Sequence, residues 1–556
     1  MIPTSPLSVA ASTRPMRARS VPKRSRWKAT KEFDSRHSRS GRFLPEHQRK
    51  GNEMLIKSLK GLTIVSSVLL GSTFLSLGQA LAFDLTVAAG ADPTTLDPRK
   101  TWVAQGYSMN AHVFEPLVFR EERDGNVLLY PVLAESWTQK SPTELEVKIR
   151  EGIKFHNGEP LDAAAVAYTI TSIQDPNFTT NLKLWTRDIV GVEVTGPYTL
   201  VLKTASQTRG LLNVLAQVPI VAPEAARSPD FEKQPIGTGP YKIASYTPSG
   251  QVVIEKNADY WGTSGEADKI TFRIMPENST RLAALEAGEV QVAENLPPDK
   301  LPALRDNPEL QVVFTPTLRV DYMIMNFRNP LMSDIKFREA LSLAIDRQGI
   351  VDNLLGGTTK AANSISPPGT VGYDADLPIY AYDPVKAKEA LAESSYNGEV
   401  IKVGGPVGRY SMDKQVTEAI GGMLQAIGIK VEIETLAFSS YIAKYNEAAY
   451  DFAFIGQTDF TTTPHKHWGT LFYSPTNITK YVNPEMDKII EAASVELDDA
   501  KAAELYKQGQ AIAHEDFGGA LPLYYEPQLI GLSAKVEGFI PRLDEYIIVT
   551  TVKSKQ

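Results

Sequence analysis

From Phe83 onward the chain alternates short apolar runs of strand length with amphipathic stretches of helical period, punctuated by Pro and Gly, without a low-complexity linker or an internal repeat. The pattern is sharpest over 400–456. Val400 to Val403 reads as a strand, and Met412 to Ile427 as a helix whose Val416, Ile420, Met423, Leu424 and Ile427 share one face. Gly428 is placed to end that helix, because a left-handed cap residue is least strained as glycine. Ile429, Val431 and Ile433 then alternate with Lys430, Glu432 and Glu434, the period of a strand with one buried face. Tyr441 and Tyr445 lie four apart on a short helix, and Asp451 to Ile455 is apolar enough for a strand covered on both faces. This β-α-β-α-β order predicts a parallel sheet with right-handed crossovers. Ligands bind beyond the carboxyl ends of such strands, so the loop Gly456-Gln457-Thr458-Asp459-Phe460 is a binding-loop candidate.

A further helix is predicted to open at Ser333, with Asp334 in its first turn, and to run through Phe337, Leu341 and Ile345 to a stop at Gly356-Gly357. The spacing of its apolar residues marks a core stripe and assigns it to the scaffold.

A chain of 556 residues, 42% apolar and 9% aromatic, is long enough for two or more domains. It has no cysteine, which removes disulfides, thiolate zinc sites, iron–sulfur clusters and thiol nucleophiles together. Residues 54–82 begin at Met54, carry Lys57 and Lys60, continue into the apolar run Leu62 to Leu77 and end Ala80-Leu81-Ala82, the pattern of a secretory signal cleaved after Ala82. The arm 1–53, with 13 Lys and Arg against 4 acids, reads as an over-extended start upstream of a true beginning at Met54. The chain beyond Ala82 carries 43 basic and 61 acidic residues, net −18, which argues against nucleic acid as a partner and fits a soluble exported protein.

Sequence patterns of catalysis are missing. No Gly-Lys dipeptide occurs, so there is no phosphate-binding Walker loop, and any fuel must come from a partner. There is no G-x-S-x-G elbow, and His514-Glu515 lacks the second histidine of a zinc hydrolase. His465 and His467 form an H-x-H pair without a visible third ligand and read as ordinary loop histidines. Asp498 and Asp499 sit in a polar run of an amphipathic helix, where a solvated face explains them. The residues therefore describe a protein without a cofactor, without a metal site and without enzymatic machinery.

Several segments, taken together, resemble the bacterial extracellular solute-binding proteins of the peptide/nickel-type importers. They are Leu133-Ala134-Glu135-Ser136-Trp137 with Ile149-Arg150-Glu151-Gly152-Ile153-Lys154-Phe155-His156-Asn157-Gly158-Glu159-Pro160-Leu161, and Thr95-Leu96-Asp97-Pro98. Gly237-Thr238-Gly239-Pro240-Tyr241, Asn257-Ala258-Asp259-Tyr260-Trp261-Gly262 and Met325-Asn326-Phe327 occur in family order, as do Ala344-Ile345-Asp346-Arg347, Tyr481-Val482-Asn483-Pro484 and Leu521-Pro522-Leu523-Tyr524. The resemblance implies an α/β fold, a bilobed periplasmic-binding-protein clamshell with an additional small domain inserted in the first lobe. It puts lobe I at 83–117, 222–323 and 520–556, the insertion at 118–221, and lobe II at 324–519. Tyr322 to Asn326 and the region Ala520 to Tyr524 are then the expected hinge crossings, about which a ligand closes the lobes.

By the same resemblance the protein works in the periplasm as a monomer, hands its solute to an inner-membrane ABC permease, and leaves ATP hydrolysis to a separate cytoplasmic subunit. In peptide receptors of this type an aspartate on the loop after Ile455 receives the ligand's amino terminus and is preceded by a tryptophan. Here Gln457 takes the tryptophan's place, and alignment through Pro464 and Thr470-Leu471-Phe472 puts the aspartate's position at Phe460, with Asp459 one residue early. The ligand-binding candidates are Asp459, Phe460 and Gln457 on this loop, and Arg409, Tyr107, Trp185 and Tyr524 elsewhere. A peptide or peptide-like solute is the leading expectation; an opine, an oligosaccharide, a glutathione-like compound or a metal chelate is the alternative within binding, and a chaperone or hydrolase the alternative outside it.

Overall fold

Strand-forming sequence from both ends and the middle of the chain is collected into one ten-stranded mixed sheet. The computed structural model describes residues 83–101, 104–123, 126–459 and 464–555. The arm 1–53, the expected signal 54–82 and Phe460 lie outside them. The strand order is Lys430–Ala437, Val400–Val407, Phe452–Thr458, Leu310–Met325, Ala520–Ser533, Val292–Ala293, Asp84–Ala89, Lys269–Ile274, Gln251–Lys256 and Tyr241–Thr247. Strands Leu310–Met325 and Ala520–Ser533 run antiparallel to each other along most of their length and join the strand sets on either side. Their register is broken between Pro316 and Val320 and again between Asp321 and Tyr322, and a break in the ladder lets a long strand bend. Both expected hinge segments overlap these two strands.

The 400–456 region folds as its pattern dictates. Strand Val400–Val407 pairs in parallel with Lys430–Ala437 and with Phe452–Thr458. The helix between the first two is Asp413–Ile427, with Val416, Ile420, Leu424 and Ile427 buried, and Gly428 closes it at φ 107°. Met412 precedes it at φ 55°, outside the helix.

The helix expected from Ser333 to Gly356 is two helices, Ile335–Ala344 and Arg347–Asn353. Asp334 rather than Ser333 caps the first, accepting from Lys336 N at 2.9 Å. Ile345 is extended, and the Asp346 carboxylate accepts from Gly349 N at 2.8 Å, starting the second helix as a side-chain cap does. The break is held by Arg347, which is 1% exposed and donates to the Pro522 and Ser342 carbonyls at 2.8 and 3.0 Å.

A separate four-stranded antiparallel sheet, in the order Ala134–Ser141, Glu144–Ile149, Thr199–Thr204 and Ile189–Gly196, carries helix Ala163–Gln174 on one face. Leu145, Val147, Ile149, Ile170, Leu200 and Leu202 form its own core, with Phe155 buried beside them and Trp137 packed at the edge.

Candidate functional site

The parallel strands Val400–Val407 and Phe452–Thr458 end at the same side of the sheet, and a cavity of about 400 Å³ opens there. The sheet supplies Arg319 from the long strand, Arg409 and Tyr410 after Val407, and Ile455 to Asp459. Helix Phe438–Asn446 adds Phe438 and Tyr445, helix Pro464–Leu471 adds His467 and Thr470, and the loop Thr476 to Lys480 borders one side. Asn181, Leu184 and Trp185, from the body built on the four-stranded sheet, complete the wall.

The floor is a buried ionic network. Arg319, 3% exposed, pairs with Glu545 at 2.8 Å through Nη2, donates to the Gly456 carbonyl at 2.7 Å through Nη1, and stacks on the Tyr410 ring at 5.2 Å. Gly456 is required there, because a side chain at that position would run into the Asp321 carboxylate, the Arg319 stem and the Tyr410 ring. Arg409 reaches the same Glu545 at 3.5 Å. The turn that carries Arg409 is pinned by Asp413, which accepts from the backbone N–H of Gly408, Arg409 and Tyr410 at 3.1, 2.8 and 3.0 Å. Burial lifts the Asp413 carboxyl to about 6, against the lowering pull of these bonds. Behind the turn, Glu526 accepts from Ser411 N at 2.7 Å. Burial and the facing Glu526 raise the carboxyl of Asp321 well above the ordinary range.

Asp459 is 1% exposed, and its own N–H donates to the Leu318 carbonyl at 2.9 Å. That bond carries the pairing with the long strand one residue past Thr458 and fixes where the carboxylate emerges. Burial lowers the pKa of the Arg120 guanidinium, against the raising pull of the Asp544 and Asp459 carboxylates. Gln457 accepts from Thr470 Oγ1 at 2.6 Å, tying the strand end to the neighbouring helix. His467 is 5% exposed, with Nε2 3.1 Å from the Tyr322 hydroxyl, and burial together with the Arg319 charge lowers its pKa to about 3. At the mouth, Arg328 and Lys480 are exposed, and Arg328 donates to the Ile478 carbonyl at 2.9 Å.

The structure brings Asp459, Gln457, Arg409 and Trp185 together around this cavity. Tyr107 and Tyr524 lie away from its lining. Tyr107 is buried and stacks on Tyr546 at 5.3 Å, in a small aromatic cluster that Trp185 also packs against. Tyr524 is fully buried in the strand opposite Asp321, where burial and then the charges of Asp321 and Glu526 push its phenol well above the ordinary value. Phe460 lies outside the described residues, and so does the side chain of His465. Arg319, Tyr410 and His467 are cavity residues outside the set predicted from sequence. An arginine inside an otherwise apolar strand segment, Leu318-Arg319-Val320, is the signal that points to the first of them.

The family model described as bacterial extracellular solute-binding proteins, family 5 Middle, matches residues 129–479. Glutathione-binding protein GsiB of Escherichia coli (strain K12) is 28% identical, over 82% of this chain and 92% of that protein. Among solved structures, the periplasmic binding protein DppA of Helicobacter pylori in complex with the peptide STSA superposes with a TM-score of 0.79 at 22% identity, covering 85% of this chain and 98% of that one. The oligopeptide-binding protein AppA of Bacillus subtilis, in complex with a nonapeptide, gives a TM-score of 0.79 at 23% identity, covering 85% and 99%. The fold they share with this chain is the bilobed α/β binding-protein fold. No helix among the described residues is long and apolar enough to cross a membrane.

Proposed function

Since the chain belongs to the bacterial extracellular solute-binding proteins of family 5, we propose that it is the periplasmic receptor of an ATP-driven importer and that it carries a peptide-like solute in the cavity beside Asp459. The observation that carries this reading is the composition of the cavity wall. Trp185 comes from one body and Arg409, Gln457 and Asp459 from another, so a solute in the cavity contacts both and favours their closed arrangement. Arg319, Arg409, Arg328 and Lys480 outnumber Asp459 among the charged lining residues, which suits a solute with one ammonium group and more than one carboxylate. Arg319 and Arg409 already share Glu545, so the cations at the mouth supply most of that excess.

Glutathione has these groups, and the name of the Escherichia coli relative supports trying it first. In the proposed arrangement the ammonium goes to Asp459. A carboxylate offers about four lone-pair sites, enough to accept from a ligand while remaining in the field of Arg120. Delivery is to a membrane permease, with ATP hydrolysed by a separate subunit.

The test is a calorimetric titration of the purified protein with glutathione, with a dipeptide and a tripeptide of alanine, and with a neutral oligosaccharide. Saturable binding of an amine-bearing solute at micromolar concentration or tighter is expected. Binding of the oligosaccharide alone would overturn the solute class.

A further inference from the structure

One residue of the cavity wall carries a buried ring nitrogen whose hydrogen-bonding role is fixed by its neighbours. His467, on helix Pro464–Leu471, is 5% exposed and lines the cavity. Its Nε2 is 3.1 Å from the Tyr322 hydroxyl, with the two rings nearly perpendicular at 84°. The same hydroxyl is bonded to the Ile365 carbonyl.

A carbonyl has no proton to give, so the phenol donates to Ile365. The phenol has one proton, so toward His467 it accepts, and the donor in that contact is Nε2–H. Burial and the charge of Arg319 keep the imidazole neutral, its pKa lowered to about 3, so Nε2 carries its only proton. Nδ1 is then a bare lone pair. It is buried and has no hydrogen-bond partner among the described residues. Thr458 Oγ1, also buried and on the cavity wall, has none either.

A buried acceptor without a donor is costly, and a cavity is where a ligand can supply one. We infer that Nδ1 of His467 is a built acceptor for the bound solute, which must present an N–H or O–H donor to it. This rests on the reading of the cavity as the solute site, and deepens it. A lone pair facing a carboxylate oxygen is repelled, so His467 directs an amine, amide or hydroxyl to its side and leaves the carboxylates to the arginines and Lys480. The solute class is therefore one with an N–H or O–H group at the end that reaches His467.

The test is long-range ¹H–¹⁵N spectroscopy of the full chain labelled in its histidine rings, with the His467→Asn spectrum assigning the signals. The Nε2–H tautomer is expected between pH 5 and 8, and saturation with glutathione should shift Nδ1 toward lower ¹⁵N frequency as it accepts a hydrogen bond. In calorimetry, His467→Leu should weaken glutathione binding at least tenfold. His467→Asn, whose Oδ1 can take the place of Nδ1, should stay within about threefold of the parent. An Nδ1–H tautomer, or a folded Leu variant that binds as tightly as the parent, overturns the inference. A parent protein that ignores glutathione refutes the solute proposed above instead, and the tautomer then decides the acceptor role alone.

Discussion

Arg209 donates through Nη1 to the Glu496 carbonyl at 2.9 Å and pairs with the Asp499 carboxylate, so the segment after strand Thr199–Thr204 is tied to the start of helix Asp499–Asp516. The first belongs to the body that contributes Trp185 to the cavity. The second packs with the helices beside the long strands. Arg187 makes a parallel link, its guanidinium 5.6 Å from the Tyr473 ring centre. If solute holds the two bodies together, Arg209 is a latch that adds to the closed form. Asp499 is exposed, which limits the ionic share, and the bond to the carbonyl leaves about 1 kcal/mol.

Arg209→Ala is accordingly expected to weaken glutathione binding about fivefold, the equivalent of about 1 kcal/mol. Small-angle scattering of the saturated variant should give a larger radius of gyration than the saturated parent. Equal affinities and equal profiles would remove Arg209 from closure.

Arg319→Met tests the floor of the cavity. Removing the guanidinium leaves Glu545, 6% exposed, with only the longer contact to Arg409, and breaking a buried pair from one side costs about 3–5 kcal/mol. Urea unfolding should show that loss. The double variant Arg319→Met with Glu545→Met should recover part of it, since the unpaired carboxylate is gone while the buried Arg409 loses its contact with Glu545. A single variant as stable as the parent would contradict the assignment of a buried pair.

How much of this was legible in the sequence depended on how local the cause was. Helix Asp413–Ile427, its Gly428 cap and the parallel strands on either side follow from periodicity and a single cap residue, and the position of the cavity follows from strand direction. The break at Ile345 does not, because it is held by Arg347 reaching Pro522, 175 residues away. Arg319 was missed for the same reason, since its partner Glu545 lies 226 residues on. Tyr107 and Tyr524 are residue types that suit a pocket and a core equally, and only packing and strand register decide which way such a side chain faces. His467 could be noticed in sequence only as half of an H-x-H pair; its tautomer depends on Tyr322 and Ile365.

His112 gives the molecule an acid sensitivity that can be measured. It is fully buried, its Nδ1–H donates to the Ser108 carbonyl at 2.7 Å, and its Nε2 accepts from Val549 N–H at 3.0 Å. Burial lowers its pKa to about 4, and protonation would turn Nε2 into a donor facing another donor. Since the unfolded chain takes up the proton near pH 6.5 and the folded one near 4, the contribution of His112 is complete above 6.5 and is lost as pH falls toward 4. The full loss is about 3 kcal/mol. Asp413, with its carboxyl raised to about 6, acts in the opposite sense between about 6 and 4.

The readout is therefore the difference between the parent and His112→Gln, whose Oε1 can accept from Val549 without titrating. Urea unfolding between pH 4 and 7 should show the parent losing stability relative to the variant as pH falls. A constant difference across that range would mean that His112 titrates normally in the folded protein.

Asp459→Ala should weaken glutathione binding at least tenfold, because a charge-assisted contact is worth roughly 1.5 to 3 kcal/mol. Binding of a carboxylate-bearing probe without an amine, glutaric acid, should be unchanged or tighter. Unchanged affinity for glutathione would move the solute's amine away from Asp459.

The central claim is that this chain carries a peptide-like solute, and native mass spectrometry of protein purified from the periplasm without denaturation tests it most directly. Closure around a small solute buries most of its surface and favours retention through purification. The account predicts an ion heavier than the polypeptide by the mass of a peptide or glutathione-like compound, released on denaturation, with that extra mass reduced in Asp459→Ala. A released oligosaccharide, or a polypeptide that carries no solute and takes up none of the amine-bearing probes, would contradict it.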